Sequence, residues 1–217
     1  MPKDLAIVLN NGSINSAVVT AIAAQKYRPV MIFADTAPGA GGRMRAAYDQ
    51  QVAHFKPYRE YSVPITLAGT GHVQNPASAA DPRQGPNISP QLLDLLPLIA
   101  LGTKSASHHQ ASAIYFGLRV GPTTDELAQA TEFCQIWNEM IQLPCAQGEL
   151  ELLAPLLELE PWQVVDLGFQ VGAPLERTWS CVEETSDPCW VCRGCRSREA
   201  AFQQAAKPDP MRVVRKS

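Results

Sequence analysis

The sequence predicts an α/β fold: a doubly wound parallel sheet of about five strands, with a small metal-binding lobe at its C-terminal end. Three observations carry this. Short apolar runs alternate with segments of helical period along most of the chain. The first of these runs, over 5–9, is continuously apolar, as in strands buried on both faces. Four of the six cysteines then fall within the fifteen residues from Cys181 to Cys195.

In chain order, the strand over 5–9 is followed by the turn Asn10-Asn11-Gly12-Ser13 and a helix over 16–25 rich in Ala, Val and Ile. A second strand over 29–33 ends at Ala34-Asp35, and the Gly/Pro-rich stretch 36–42 reads as a loop. A helix over 43–55 places Met44, Ala47, Gln51 and His54 on one face. Residues 58–65 alternate as a third strand, and 68–90, without periodicity, form a long loop. A helix over 92–101 is expected to kink or break at Pro97. A fourth strand covers 113–118. The helix over 124–141 carries an apolar stripe of Leu127, Ala130, Phe133, Cys134, Trp137 and Ile141. A fifth strand near 150–153 and a helix over 160–167, with Pro161 in its first turn, complete the pattern.

Composition narrows the class of function. The 217 residues are 46% hydrophobic and 18% charged, in the range of globular chains, with a formal net charge of -3. That balance offers no strong signal for nucleic acid, which selects a basic surface. No apolar run is long enough to span a bilayer, and the N-terminal residues have no signal-peptide pattern, so no membrane and a cytoplasmic location are expected.

The cysteine spacing is Cys-x7-Cys-x2-Cys-x2-Cys over Cys181, Cys189, Cys192 and Cys195. Two-residue gaps let neighbouring thiolates face one ion, and four sulfurs fill the tetrahedral shell of zinc with no position left for water, so a structural Zn2+ is expected. Cys192 and Cys195 alone would also fit a redox pair; the two upstream cysteines favour metal. Cys134, on the apolar stripe, reads as a small buried hydrophobe.

The residues around this cluster identify a family resemblance. Thr178-Trp179-Ser180-Cys181, then Pro188-Cys189, Cys192, Cys195 and Arg198, resemble the C-terminal signature of the 7-cyano-7-deazaguanine synthases. Residues 162–168 and 171–175, and Glu132-Phe133, are similar to that family as well. The resemblance implies the PP-loop ATP pyrophosphatase fold, use of ATP and Mg2+, and conversion of a carboxy-deazaguanine to its nitrile on the route to queuosine. The family's ATP loop, Ser-Gly-Gly-x-Asp-Ser, falls on Asn11, Gly12, Ser13, Ile14, Asn15 and Ser16, so Asn11, Gly12, Ser13, Asn15 and Ser16 are the implied nucleotide-binding residues. Ser13 replaces a glycine and Asn15 an aspartate that would help hold magnesium. The same residues also suit a plain N-capped turn, and both readings stand.

Other positions depart from the family pattern. Ala128-Gln129-Ala130 stand where it has Asp-Cys-Arg, Arg119 where it has asparagine, Thr36-Ala37-Pro38-Gly39 where it has a Tyr-Gly-Gln motif, and Glu160 where it has lysine. No catalytic residue is assigned. The implied function is a divergent ATP-dependent carbon–nitrogen ligase acting on a deazapurine or altered substrate. The alternative is a catalytically impaired relative that binds a protein partner. A nucleotide, a small-molecule substrate, a protein partner and a homo-oligomer are the partners expected. The expected division is a PP-loop-like nucleotide-binding domain over 1–175, a zinc-binding lobe over 176–206 and a flexible tail over 207–217.

Three further features are weaker. His108-His109 sit near a helix end, where the dipole favours a cation. Asp35 stands just beyond the second strand. Arg43 and Arg45 open a helix after a Gly-rich loop and are placed to meet an anion, although surface arginines are common.

Overall fold

The structure, a computed structural model, describes residues 4–35, 42–65, 89–122, 124–145 and 150–213. The order of elements is β1 (Leu5–Leu9), α1 (Ile14–Lys26), β2 (Arg28–Asp35), α2 (Gly42–Phe55), β3 (Arg59–Pro64), α3 (Ser89–His109), β4 (Ala113–Phe116), α4 (Thr124–Gln142), β5 (Glu151–Leu153), α5 (Pro161–Gln170), α6 (Arg193–Gln204) and α7 (Pro210–Val213). A single 3-10 turn, Leu175–Arg177, precedes the cysteine segment.

The five strands pair in parallel in the order β3-β2-β1-β4-β5. The chain moves outward from β1 to β3 and then returns to β4 on the other side of β1, so the topological switch lies between β1 and β4. That is where α/β sheets open a crevice beyond their carboxyl ends. Alternate strand residues serve opposite layers. Ile7, Leu9, Ile32, Ile114 and Phe116 pack with Leu92, Ile99, Ala130 and Ile141 under α3 and α4. Ala6, Val8, Ala113 and Tyr115 face the layer of α1, α5 and α6.

Most elements stand close to their predicted limits, and the departures have physical reasons. Pro97 does not break α3, which runs from Ser89 to His109. Proline deprives the carbonyl of Leu93 of its helical donor, but Leu93 is 64% exposed, where water can serve that oxygen. Leu92 and Ile99, both buried, anchor the helix on either side of the proline. The expected loop over 68–90 thus ends before Ser89, and its remainder lies outside the described residues, as does 36–41 of the expected loop over 36–42. On α2 the buried set is Ala47, Tyr48 and Gln51, with His54 exposed. Tyr48 takes the inward place because its ring fills the space beside Met31 and Phe33, while its hydroxyl donates to the carbonyls of Met31 (3.0 Å) and Tyr61 (3.2 Å).

The C-terminal region departs from expectation in its tail. The cysteine segment gathers a small apolar cluster of its own, in which Trp179, Cys181 and Cys195 pack with Ala47 of α2. Its helix α6 buries Ala201 and Phe202 in the same apolar cluster as Val18, Val164 and Leu175 of the main layer. Residues 207–213 are not a free tail, because Asp209 pairs with Arg198 in a buried, two-pronged ion pair with Nε–Oδ2 at 2.7 Å and Nη2–Oδ1 at 2.8 Å. The guanidinium also donates to the Thr178 hydroxyl (2.7 Å) and the Leu175 carbonyl (3.0 Å). A charge buried this deeply is tolerated only with its partner in place, which holds the segment around Asp209 against α6. Residues 214–217 lie outside the described residues. Among the described residues no helix is long and apolar enough to cross a membrane.

Candidate functional site

The carboxyl end of β1 delivers the chain into the turn Asn10–Ser13, and Ser13 caps α1 with its hydroxyl accepting from the Ser16 N–H (3.3 Å). Gly12 adopts φ +82°, and a β-carbon there would lie 2.3 Å from the Met44 carbonyl oxygen, so only glycine fits. The turn is cross-braced by its own side chains. Asn10, 2% exposed, accepts from the Gly12 N–H (2.8 Å) and donates to Thr20 (3.0 Å) and Gln51 (2.8 Å). Asn11 Oδ1 accepts from the Ser13 N–H (3.2 Å) and the Ser16 hydroxyl (2.8 Å), while Ser16 Oγ accepts from the Asn11 N–H (3.2 Å). Asn15 reaches across the switch point and donates to the Gly117 carbonyl just beyond β4 (3.1 Å).

The turn is also tied to the cysteine segment. The Gly12 carbonyl accepts from the Trp179 main-chain N–H (3.0 Å) and from Gln51 Nε2 (3.1 Å), which donates as well to the Arg177 carbonyl (3.0 Å). Glu184, in the excursion between the first two cysteines, accepts from the Arg43 N–H at the start of α2 (2.9 Å). A carboxylate there answers an otherwise free helix N–H and the helix dipole.

The Sγ atoms of Cys181, Cys189, Cys192 and Cys195 all lie within 4.8 Å of one another. The Cys181–Cys189 separation is 3.6 Å and the Cys181–Cys192 separation 3.9 Å. Zn–S bonds of about 2.3 Å in a tetrahedron put neighbouring sulfurs about 3.8 Å apart. Both distances fit that spacing and are far beyond a disulfide. Main-chain N–H groups point at the sulfurs: Glu183 and Cys189 to Cys181, Cys192 to Cys189, and Cys195 to Cys192, at 3.3–3.4 Å. Such donors favour thiolates. The hydrogen bonds from the Val182 and Cys195 N–H groups bring the Cys192 thiol down to about 6, whereas burial pushes Cys195 up to about 12. This four-sulfur group can hold a metal such as zinc, and among the described residues no other set of three or more candidate ligands gathers.

The remaining sequence candidates separate cleanly. His108 and His109 end α3, His109 beside Tyr61, and among the described residues no third ligand gathers around them. Asp35 ends β2, half-buried. Arg45 is engaged by Asp49 (2.9 Å) and Ser62. Glu160 caps α5, its N–H donating to Gln163 Oε1 (2.8 Å). Asn10, Gln51 and Glu184 carry much of the bracing and were not singled out by sequence as site residues. The available signals were an asparagine directly after an apolar strand and Gln51 on the same helix face as Met44 and Ala47.

A sequence profile described as "Queuosine biosynthesis protein QueC" matches residues 96–206, more than half of the chain. A 7-cyano-7-deazaguanine synthase from Koribacter versatilis is 27% identical over 226 residues, covering 95% of this chain and 92% of the relative. Another, from Aliarcobacter butzleri, is 31% identical over 115 residues, 52% of this chain and 50% of that protein. Among solved structures, NMN synthetase from Francisella tularensis superposes with a TM-score of 0.50 at 13% identity, over 95% of this chain and 79% of that one, a likeness of fold. With the parallel sheet, the turn after β1 and the cysteine group, these matches establish that the chain belongs to the QueC family of queuosine biosynthesis proteins.

Proposed function

We propose that this protein is a divergent ATP-dependent carbon–nitrogen ligase that binds MgATP at the Asn10–Ser16 turn and turns a carboxylate on a deazapurine, or an altered substrate, into a nitrile. The observation that carries this reading is the position of the turn. It leaves β1 at the switch point, opens α1, and is bridged to β4 by Asn15 and Gly117. First-turn N–H groups and the helix dipole favour phosphate there.

The relatives are 7-cyano-7-deazaguanine synthases by name. In the corresponding reaction a carboxylate oxygen attacks the α-phosphorus of ATP and pyrophosphate leaves. Ammonia displaces AMP to give an amide. A second ATP adenylates the amide oxygen with release of pyrophosphate, and loss of AMP with the two amide protons leaves the nitrile. The turn's part in such chemistry is to hold phosphates in line for attack. A structural zinc in the four-cysteine group would staple the segment that positions Trp179 and Arg177 against the turn, and with four sulfur ligands it would activate no water.

The test is calorimetry of the full chain with MgATP, repeated on Ser16→Ala. Binding that weakens in the variant, together with nitrile formed from the acid, ammonia and ATP, supports the ligase. Absence of heat with the unaltered chain abolishes it. A second reading has its own observation: the Gly12, Ser13 and Asn11 N–H groups are already met by Asn10, Asn11 and Ser16. Phosphate must displace these side chains. That favours a catalytically impaired relative that serves a protein partner, and this reading predicts stoichiometric co-purification without ATP turnover.

A further inference from the structure

A cavity of about 370 Å³ lies between α2 and the Thr178–Trp179 segment, with Arg43, Gln50, Arg177, Trp179 and Ser186 in its lining. Small-molecule sites begin at about this size. Its polar lining combines the two guanidinium groups with the Glu176 carboxylate, Gln50 and Ser186. Arg177 is partly satisfied, by Glu176 (3.3 Å) and the Gln50 carbonyl (3.4 Å). Arg43 is different. The ion pairs of the described residues engage Arg45, Arg177, Arg198, Lys207 and Arg212, and the Arg43 guanidinium is in none of them. It rests over the Trp179 ring, 5.7 Å from the ring centre. The indole N–H of that same Trp179 is buried without an acceptor. The one carboxylate of the lining, Glu176, is taken by Arg177, which leaves the Arg43 guanidinium and the Trp179 indole N–H without the acceptor that an anion would supply.

The cavity also has a fixed relation to the phosphate turn. The Trp179 N–H donates to the Gly12 carbonyl (3.0 Å), so the wall of the cavity and the turn are one hydrogen bond apart. An acid brought next to a triphosphate meets strong like-charge repulsion unless a cation stands with it. A planar guanidinium binds a carboxylate through two parallel hydrogen bonds and so orients it as well as neutralising it.

We infer that this cavity is the pocket for the acid substrate and that Arg43 is its carboxylate anchor, with Trp179 as the wall that sets the pocket against the phosphate turn. The inference rests on the ligase reading for the identity of the acid, but the pocket is tested without ATP. The full zinc-loaded chain is titrated calorimetrically with 7-carboxy-7-deazaguanine and, separately, with 7-cyano-7-deazaguanine, which has the same ring and no carboxylate. Arg43→Gln should weaken the carboxylate ligand at least tenfold, leave the nitrile within twofold, and leave any MgATP heat unchanged. Arg43→Lys, which keeps the charge without the planar fork, should recover part of the loss, and Arg177→Gln should cost less than Arg43→Gln. Matching melting curves exclude misfolding. Equal binding of the acid by Arg43→Gln and the unaltered chain overturns the inference, as does equal loss of both ligands or failure of the unaltered chain to bind the acid. Absence of MgATP heat alongside Arg43-dependent acid binding would remove the ligase and leave the pocket standing.

Discussion

Gly194 packs its α-carbon against the main-chain carbonyl of Ser180, so closely that a β-carbon would lie 1.9 Å from that oxygen. The contact joins the first turn of α6, which bears Cys195, to the segment that leads into Cys181. Main chain lies on both sides, so nothing flexible can give way. Gly194→Ala should therefore separate Cys181 from Cys192 and Cys195. The expected cost is at least about 3 kcal/mol, the upper end for overpacking, with loss of stoichiometric zinc. Elemental analysis and urea denaturation check it; a variant that retains both metal and stability would contradict the geometry.

The Arg198–Asp209 pair, buried and two-pronged, predicts a large asymmetry between single and double changes. Asp209→Asn leaves a guanidinium without its charge partner and should destabilise by about 3–5 kcal/mol. Replacing both residues by apolar ones of similar volume should cost less than the sum of the single changes. A double-mutant cycle measured by urea denaturation reports the coupling, and limited proteolysis should show cleavage near 207–213 only in the singly altered chains.

Gln51 closes a buried network by donating to the Gly12 and Arg177 carbonyls while accepting from Asn10. Gln51→Leu keeps the bulk and removes all three bonds, leaving the Arg177 carbonyl without that donor, while Gly12 keeps the Trp179 N–H and Asn10 keeps Thr20. A loss of roughly 1–3 kcal/mol is expected. Because Asn10 would then keep only Thr20 of its two side-chain acceptors, MgATP affinity should fall as well, by about tenfold for each 1.4 kcal/mol transferred to the turn. Paired calorimetry and denaturation would show whether the two losses track each other.

Cys134 offers a pH-dependent control. Burial on α4 pushes its thiol from 9.0 up to about 11. The thiolate is the reactive form, so at pH 8 Cys134 should resist iodoacetamide, and its labelling should climb only as pH rises toward 11. The sign for stability agrees: a thiol raised in the folded state supports folding fully below its unfolded value, and that support is lost as pH rises through 11. Mass spectrometry of chain labelled at pH 8, before and after chelation, should find label entering the four clustered cysteines after metal removal and not Cys134.

The sequence alone determined what repeats locally. The continuous apolar run of β1, the 3.6-residue stripe on α4 and the Cys-x2-Cys-x2-Cys spacing are each written within a few turns of chain, where one residue's neighbours decide its state. The parallel sheet followed from these, and the family resemblance from the residues around the cysteines. Helix α6 stayed hidden because its inward stripe is Cys195, Arg198, Ala201 and Phe202, and an arginine in a core position disguises the period. Only the tertiary structure decided that Arg198 is buried, because its partner Asp209 and its acceptors Thr178 and Leu175 converge from separate elements. The same holds for the union of Gly12 with Gln51 and Trp179, residues 39 and 167 positions away in the chain. A polar group's preference for burial depends on whether a partner meets it there, and chain closure over such separations is set by the packing of the whole sheet rather than by any local pattern.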